Sequence, residues 1–127
     1  MDHELIVLTQ QLLDSLARSD IETYEALCDP SLTGIEPMSM GQILEGLDFH
    51  RANLKVKPPH NGETSILSPK VRVIGDVGII SYVRVNRLAK SDGSLQFQGS
   101  METRVWHKRD GKWKHVHFHR STLPMGA

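Results

Sequence analysis

The chain predicts an α+β fold in which helices from its first half pack on one face of an antiparallel sheet built from its second half. Three observations carry this expectation. Apolar residues recur at helical spacing through Leu54 and then, from Ile66 onward, switch to a period of two. Gly75-Asp76, Asp92-Gly93 and Asp110-Gly111 separate the period-two runs, and such pairs suit tight hairpins. A length of 127 residues with 39% hydrophobic content supports one core, so residues 1–127 are expected to form a single domain.

Taken in order, residues 4–18 place Leu5, Leu8, Leu12 and Leu16 on one helical stripe, widened by Ile6, Leu13 and Ala17. Ser19 and Glu22 have capping-box spacing and open a short second helix carrying Ile21, Tyr24 and Cys28, which stops at Asp29-Pro30. Thr33 to Glu36 predict a brief strand. Ser39 and Gln42 repeat the capping-box spacing, and Met40, Ile43, Leu47, His50 and Leu54 fall on one face of a third helix, which turns His50 inward. Lys55 to Thr64, with Pro58-Pro59 and Asn61-Gly62, is rich in turn formers and predicts a mobile surface connection. Val71 and Val73, then Ile80, Tyr82 and Arg84, then Phe97 through Trp106, then Trp113 through Arg120 mark four strands. Joined by three hairpins, they make a four-stranded antiparallel meander.

Composition narrows the function. Fifteen Lys and Arg balance fifteen Asp and Glu, so charge gives no reason to expect nucleic acid or a membrane surface as partner. Net charge near zero also leaves little repulsion between copies, which permits self-association. Cys28 is the one cysteine, so an intramolecular disulfide is impossible; it reads as a small buried hydrophobe at a helix end. A reducing, cytoplasmic setting is expected, since no apolar run approaches the roughly 20 residues of a membrane span and the amino terminus is not a secretion signal. Glycine-rich phosphate loops, a nucleophile elbow and kinase motifs are all missing, which excludes kinase activity in this polypeptide. No cofactor is implied.

The candidate site lies in the strands. Glu102, Arg104 and Trp106 share one face of their strand; Val116, Phe118 and Arg120 share one face of the next; Arg84 follows Ile80 and Tyr82 on a third. A guanidinium held among bulky apolar residues must meet a carboxylate, a bound anion or trapped water. Two such charges about 6 Å apart repel by roughly 3 kcal/mol at an effective dielectric near 20. Glu36 and Glu102 are the available counterions, and two carboxylates leave one of three guanidiniums unneutralised. A residual positive pocket suits a carboxylate; a buried ion network with solvated strand ends is the alternative. His115, His117 and His119 alternate on one side of the last strand, a spacing that suits a transition metal, a half-polar outer face or a subunit interface. With no Cys or carboxylate at matching spacing, no metal is expected. Trp106 and Trp113 read as core or interface anchors.

These pieces resemble a known family. Cys28-Asp29-Pro30, Glu45-Gly46-Leu47-Asp48-Phe49-His50-Arg51, Ile66-Leu67-Ser68-Pro69, Glu102-Thr103-Arg104-Val105-Trp106-His107, Arg109-Asp110-Gly111-Lys112-Trp113 and Val116-His117-Phe118-His119-Arg120-Ser121 closely resemble the association (hub) domain of calcium/calmodulin-dependent protein kinase II. The likeness runs from the first helix to Ser121. It implies the nuclear transport factor 2-like cone, with three N-terminal helices on a curved, mainly antiparallel sheet around a pocket. It also implies large homo-oligomers, two stacked rings of six or seven subunits each. The family's pocket arginines accept carboxylates, and the matching positions here are Arg84, Arg104 and Arg120, with Tyr24 and His50 as neighbours. The chain starts at the hub's first helix, without kinase, autoinhibitory or calmodulin-binding segments, so scaffolding of an attached kinase is not expected.

Two functions compete. The first is a non-catalytic assembly module whose pocket, lined by Arg84, Arg104, Arg120, Tyr24, His50, Glu36 and Glu102, takes a small carboxylate or an acidic peptide end. It would bury an outer sheet face, the three alternating histidines and flanking tryptophans, against copies of itself; a separate kinase hub is a further candidate partner. The second is a small acid-base enzyme resembling the polyketide-cyclase-like (SnoaL-like) isomerases, dehydratases and hydrolases. There His50 would be the base, Tyr24 or Tyr82 the proton donor, and Arg104 with Arg120 would stabilise an enolate or carboxylate.

Overall fold

A computed structural model describes residues 3–56 and 63–124. The elements run α1 (Glu4–Ala17), α2 (Ile21–Leu27), β1 (Cys28–Ile35), a 3-10 turn (Pro37–Ser39), β2 (Leu44–Glu45), α3 (Asp48–Val56), β3 (Glu63–Ile74), β4 (Val77–Ala89), β5 (Leu95–Arg109) and β6 (Lys112–Leu123). The strands form one sheet in the order β2-β1-β6-β5-β4-β3. Most of the segment expected to be a mobile connection, Lys55 to Thr64, lies outside the described residues.

The expected meander is present: β3, β4, β5 and β6 pair antiparallel in sequence order. Asp110 and Gly111 both take positive φ, 52° and 78°, which is the backbone a two-residue hairpin of that twist demands. The sheet extends beyond the meander because β1 pairs with β6 in parallel, a non-local contact with no signal in local periodicity. Three irregularities interrupt its ladders, one of them in the β1–β6 pairing between Cys28 and Thr33. Ser68, at φ 53°, and Pro69 shift the β3–β4 register between Leu67 and Lys70, and β6 bulges between His115 and His117.

The core fills the space between the helices and the inner sheet face. Leu5, Leu12 and Leu13 of α1 and Leu32, Ile80, Trp106 and Phe118 of the sheet are essentially inaccessible, with Tyr24 and Cys28 beside them. Leu8 and Leu16 lie on the flank of the α1 stripe, while Thr9 joins its centre. Close approach is bought with glycine. A Cβ on Gly78 would lie 2.3 Å from the Leu5 side chain, and one on Gly34 would lie 2.2 Å from the Phe118 ring.

Local departures from the sequence expectation have local causes. Asp20, not Ser19, caps α2 by accepting from the Thr23 amide; Ser19 sits at φ 57°, where the chain leaves α1. Strand β1 begins directly at Cys28 and runs through Pro30, rather than starting at Thr33; Cys28 is buried at the α2 end as expected. The third helix is shorter. Ser39 closes the 3-10 turn through its hydroxyl, which donates to the Glu36 carbonyl at 2.6 Å, and Met40 and Gly41 both take positive φ, which stops a helix. Met40 and Ile43 are consequently exposed, and α3 begins only at Asp48.

Because a Cβ at position 34 would overlap the Phe118 ring and force it to shift, Gly34→Ala is expected to destabilise the fold by about 1–3 kcal/mol. Urea unfolding monitored by tryptophan fluorescence measures it; an unchanged midpoint would contradict the packing described.

Candidate ligand-binding site

Strand register lays the inner face out in rows. Tyr82, Glu102 and Arg120 are cross-strand neighbours; Ile80, Arg104 and Phe118 form the next row, and Arg84, Ser100 and Thr122 another. Side chains repeat every two residues along each strand, so the three arginines rise on the same inward face around Glu102.

Glu102 accepts from four donors. Its Oε1 takes the Tyr82 hydroxyl at 2.5 Å and Arg104 Nη2 at 2.9 Å, while Oε2 takes the Ser100 hydroxyl at 2.7 Å and Arg84 Nη1 at 3.5 Å. Burial alone pushes its carboxyl pKa up, but the charges of Arg104 and Arg84 and the two hydroxyls outweigh that and hold it down, at about 2. The carboxylate is therefore ionised wherever the protein is folded near neutrality.

Arg104 is the most enclosed of the three cations. Its Nε donates to the Tyr82 hydroxyl at 2.8 Å, its Nη1 lies 3.4 Å from His115 Nε2, and its guanidinium stands 5.0 Å from the Phe118 ring centroid. Burial would discharge it, but Tyr82 and Glu102 raise its pKa instead. Since a guanidinium only donates, His115 must accept through Nε2 and keep its proton on Nδ1, which faces the Cys28 sulfur at 3.5 Å. Burial first, then the Arg104 charge, drive the His115 pKa well below the usual histidine range.

His50 faces the cavity from α3. Arg51 next to it pairs with Glu25 of α2 and Asp48, which fixes the helix against its neighbour. The Tyr24 hydroxyl lies 2.6 Å from His50 Nδ1, and burial raises the Tyr24 pKa, so the hydroxyl is the donor. Burial, aided by the charges of Arg104 and Arg120, lowers the His50 pKa to about 4. The ring is neutral at pH 7 and packs against Phe49 and Phe118.

Between these groups lies a cavity of about 410 Å³ whose wall includes Arg84, Arg104, Arg120, His50 and Glu36. Tyr24, Tyr82 and Glu102 stand behind that wall. Phe49, Leu16 and Met38 give it an apolar side, and Asn86 and Gln98 a polar one. A second hollow shares Arg84, Asn86, Gln98 and Arg120 and continues toward Phe97 and Pro124. Among the described residues Arg120 has Glu36 as its ion-pair partner, at 3.5 Å. Three guanidiniums thus face two carboxylates, and with both histidines neutral the site keeps a surplus of one positive charge.

Asn86, Gln98 and Ser100 escaped the sequence reading although they continue the period-two pattern that exposed the arginines. His115 was misplaced for a different reason. The bulge at Val116 inserts one residue, so His115 turns inward, while His117 and His119 face outward. The three histidines do not share a face, and among the described residues no group of three His, Cys, Asp or Glu stands ready for a metal. Nor do the tryptophans flank an outer histidine face: Trp106 is fully buried inside, and Trp113 packs on the core with its indole donating to Glu4 at 2.9 Å.

Residues 1–124 match the model of the calcium/calmodulin dependent protein kinase II association domain. The chain belongs to this family. The association domain of C. elegans kinase II is similar to it at 38% identity and a TM-score of 0.88, over 94% of this chain and 93% of that one. The hub homology domain of the Chlamydamonas reinhardtii kinase is also 38% identical, with a TM-score of 0.86 over 95% of this chain and 97% of that one. A nuclear transport factor 2-like protein from Cytophaga hutchinsonii, 18% identical with a TM-score of 0.75 over 97% of this chain and 100% of that one, shares the fold alone. Family and fold are those the sequence motifs implied, and the chain is an association module. No helix among the described residues is long and apolar enough to cross a membrane.

Two measurements probe this association domain's interior. Glu102→Gln leaves Arg84 and Arg104 without their shared carboxylate and is expected to cost about 3–5 kcal/mol in urea unfolding. The second concerns pH. His50 has a folded pKa of about 4 against 6.5 ordinarily, so the unfolded chain takes the proton first as pH falls. Stability fully present above pH 6.5 is therefore lost on the way down to about pH 4. The expected slope is about 1.4 kcal/mol per pH unit for each such histidine, and His50→Phe should make the slope shallower.

Proposed function

We propose that this association domain assembles copies of itself into large closed homo-oligomers, of the form two stacked rings of six or seven subunits, and that its arginine pocket takes a small carboxylate or an acidic peptide end. The observation that carries the assembly reading is a set of apolar residues on the sheet's outer face, interspersed with Ser81, Thr103, His117 and His119. Leu67, Val83 and Met101 lie in one cross-strand row on that side, and Ile79 and Val105 in another. Leu67 and Met101 are 47% and 46% exposed, where a solvated antiparallel sheet would turn polar residues outward. Near-neutral net charge leaves such faces free to meet. Point-group closure then limits the number of copies. Mixing with a separate kinase hub would use the same face.

The pocket reading is supported by the surplus positive charge and by the long Arg84–Glu102 and Arg120–Glu36 contacts, both 3.5 Å, which leave donors to spare on two guanidiniums. The same geometry favours binding over acid-base turnover. His50 Nδ1 is taken by Tyr24, and the Tyr82 hydroxyl is held between Glu102 and Arg104.

Light scattering at micromolar concentration is expected to give a mass of many subunits, and Val83→Asp or Met101→Asp to lower it while leaving the circular dichroism spectrum intact. A wild-type monomer would remove the assembly reading. Small carboxylic acids are expected to raise the melting temperature of the wild type and to lose that effect in Arg120→Ala.

A further inference from the structure

Among the described residues the cavity wall carries one carboxylate, Glu36, and its situation differs from that of Glu102. Glu102 is pinned behind the wall by two guanidiniums and two hydroxyls. Glu36 faces the cavity with one guanidinium at 3.5 Å, longer than the roughly 2.7–2.9 Å of a close charge-assisted pair, although its side chain is only 7% exposed. Its main chain is fixed by the Ser39 hydroxyl, which donates to the Glu36 carbonyl at 2.6 Å, and Met38 beyond it forms part of the same wall. Glu36, whose side chain also closes a capping box with the Ser39 amide, is thus a sheltered anion anchored at the place where an incoming acid would meet Arg120, whose side chain is 27% exposed and borders both hollows.

Charge then selects the guest. A monoanion cancels the single positive surplus of the site. A dianion exceeds it by one and leaves an uncompensated negative charge beside Glu36 in a partly enclosed space, where repulsion between like charges is strong. We infer that Glu36 is the specificity-determining residue of this pocket, admitting monocarboxylic acids and turning away dianions such as dicarboxylates and phosphate monoesters. This rests on the carboxylate reading given above.

Benzoate and phthalate share a ring and differ by one carboxylate. Titration calorimetry of the full chain at neutral pH is expected to show benzoate binding at least about 10-fold more tightly than phthalate. Glu36→Gln raises the surplus to two, which should tighten benzoate by about 10-fold and phthalate by about 100-fold and so close the gap. Glu36→Asp retains the charge and should retain the preference; it also keeps the question answerable where the glutamine variant melts too low to titrate. If Glu36→Gln changes both acids by the same factor, or the wild type prefers phthalate, the role of Glu36 is overturned while the carboxylate pocket stands. If none of the three proteins binds either acid, the pocket reading falls and this inference with it.

Discussion

The carboxylate of Glu102, sealed under the inner face of the sheet among two guanidiniums and two hydroxyls, is the constraint around which the interior is arranged. A buried ion pair adds little net stability over well-packed hydrocarbon, but a buried cation with its partner removed is costly. Arg104 can be enclosed among Phe118, Trp106 and Ile80 only because Glu102 and Tyr82 meet it from the same sheet. The pairing is also geometric. Tyr82 lies opposite Glu102 and Ile80 opposite Arg104, so a slip of one residue in β4 or β5 would place the charges on the wrong face.

From this centre the field of Arg104 reaches outward. Together with burial, the larger cause, it keeps His115 and His50 uncharged, and uncharged rings can pack with Phe118, Trp106 and Tyr24 as ordinary aromatic volume. Electrostatics and packing are therefore one problem in this molecule. The pocket shares a wall with the core, since Arg104 and Phe118 belong to both. A change of charge in the cavity is felt by residues that also decide whether the chain folds.

How much of this could be read from the sequence depends on how local each signal was. The hairpins were legible because Asp110-Gly111 names its own backbone conformation, and the arginine faces were legible because period two is strict in β4 and β5. The third helix was drawn too long because Ser39 and Gln42 imitate a cap, although Gly41 and Gly46, at φ 83° and 76°, spoke against continuous helix. Inverting His115 required a bulge at Val116 that alternation alone cannot reveal. The parallel docking of β1 on β6 joins residues more than eighty positions apart and leaves no local trace. Of the pocket, the charged residues stood out by chemistry, while Asn86 and Gln98 look like ordinary strand polars until the cavity gives them a position.

The sheet's two margins have a consequence for how such a molecule can grow. At one side β2 is only two residues long; at the other, β3 is interrupted by Ser68 and Pro69, which break the register, twist the strand and remove a backbone donor. Neither margin offers the long, flat row of unpaired amides on which another strand could be added and another after it. A polypeptide with an open strand edge runs the hazard of endless fibre. Blunted borders turn any contact away from strand-by-strand extension and toward side-chain surfaces.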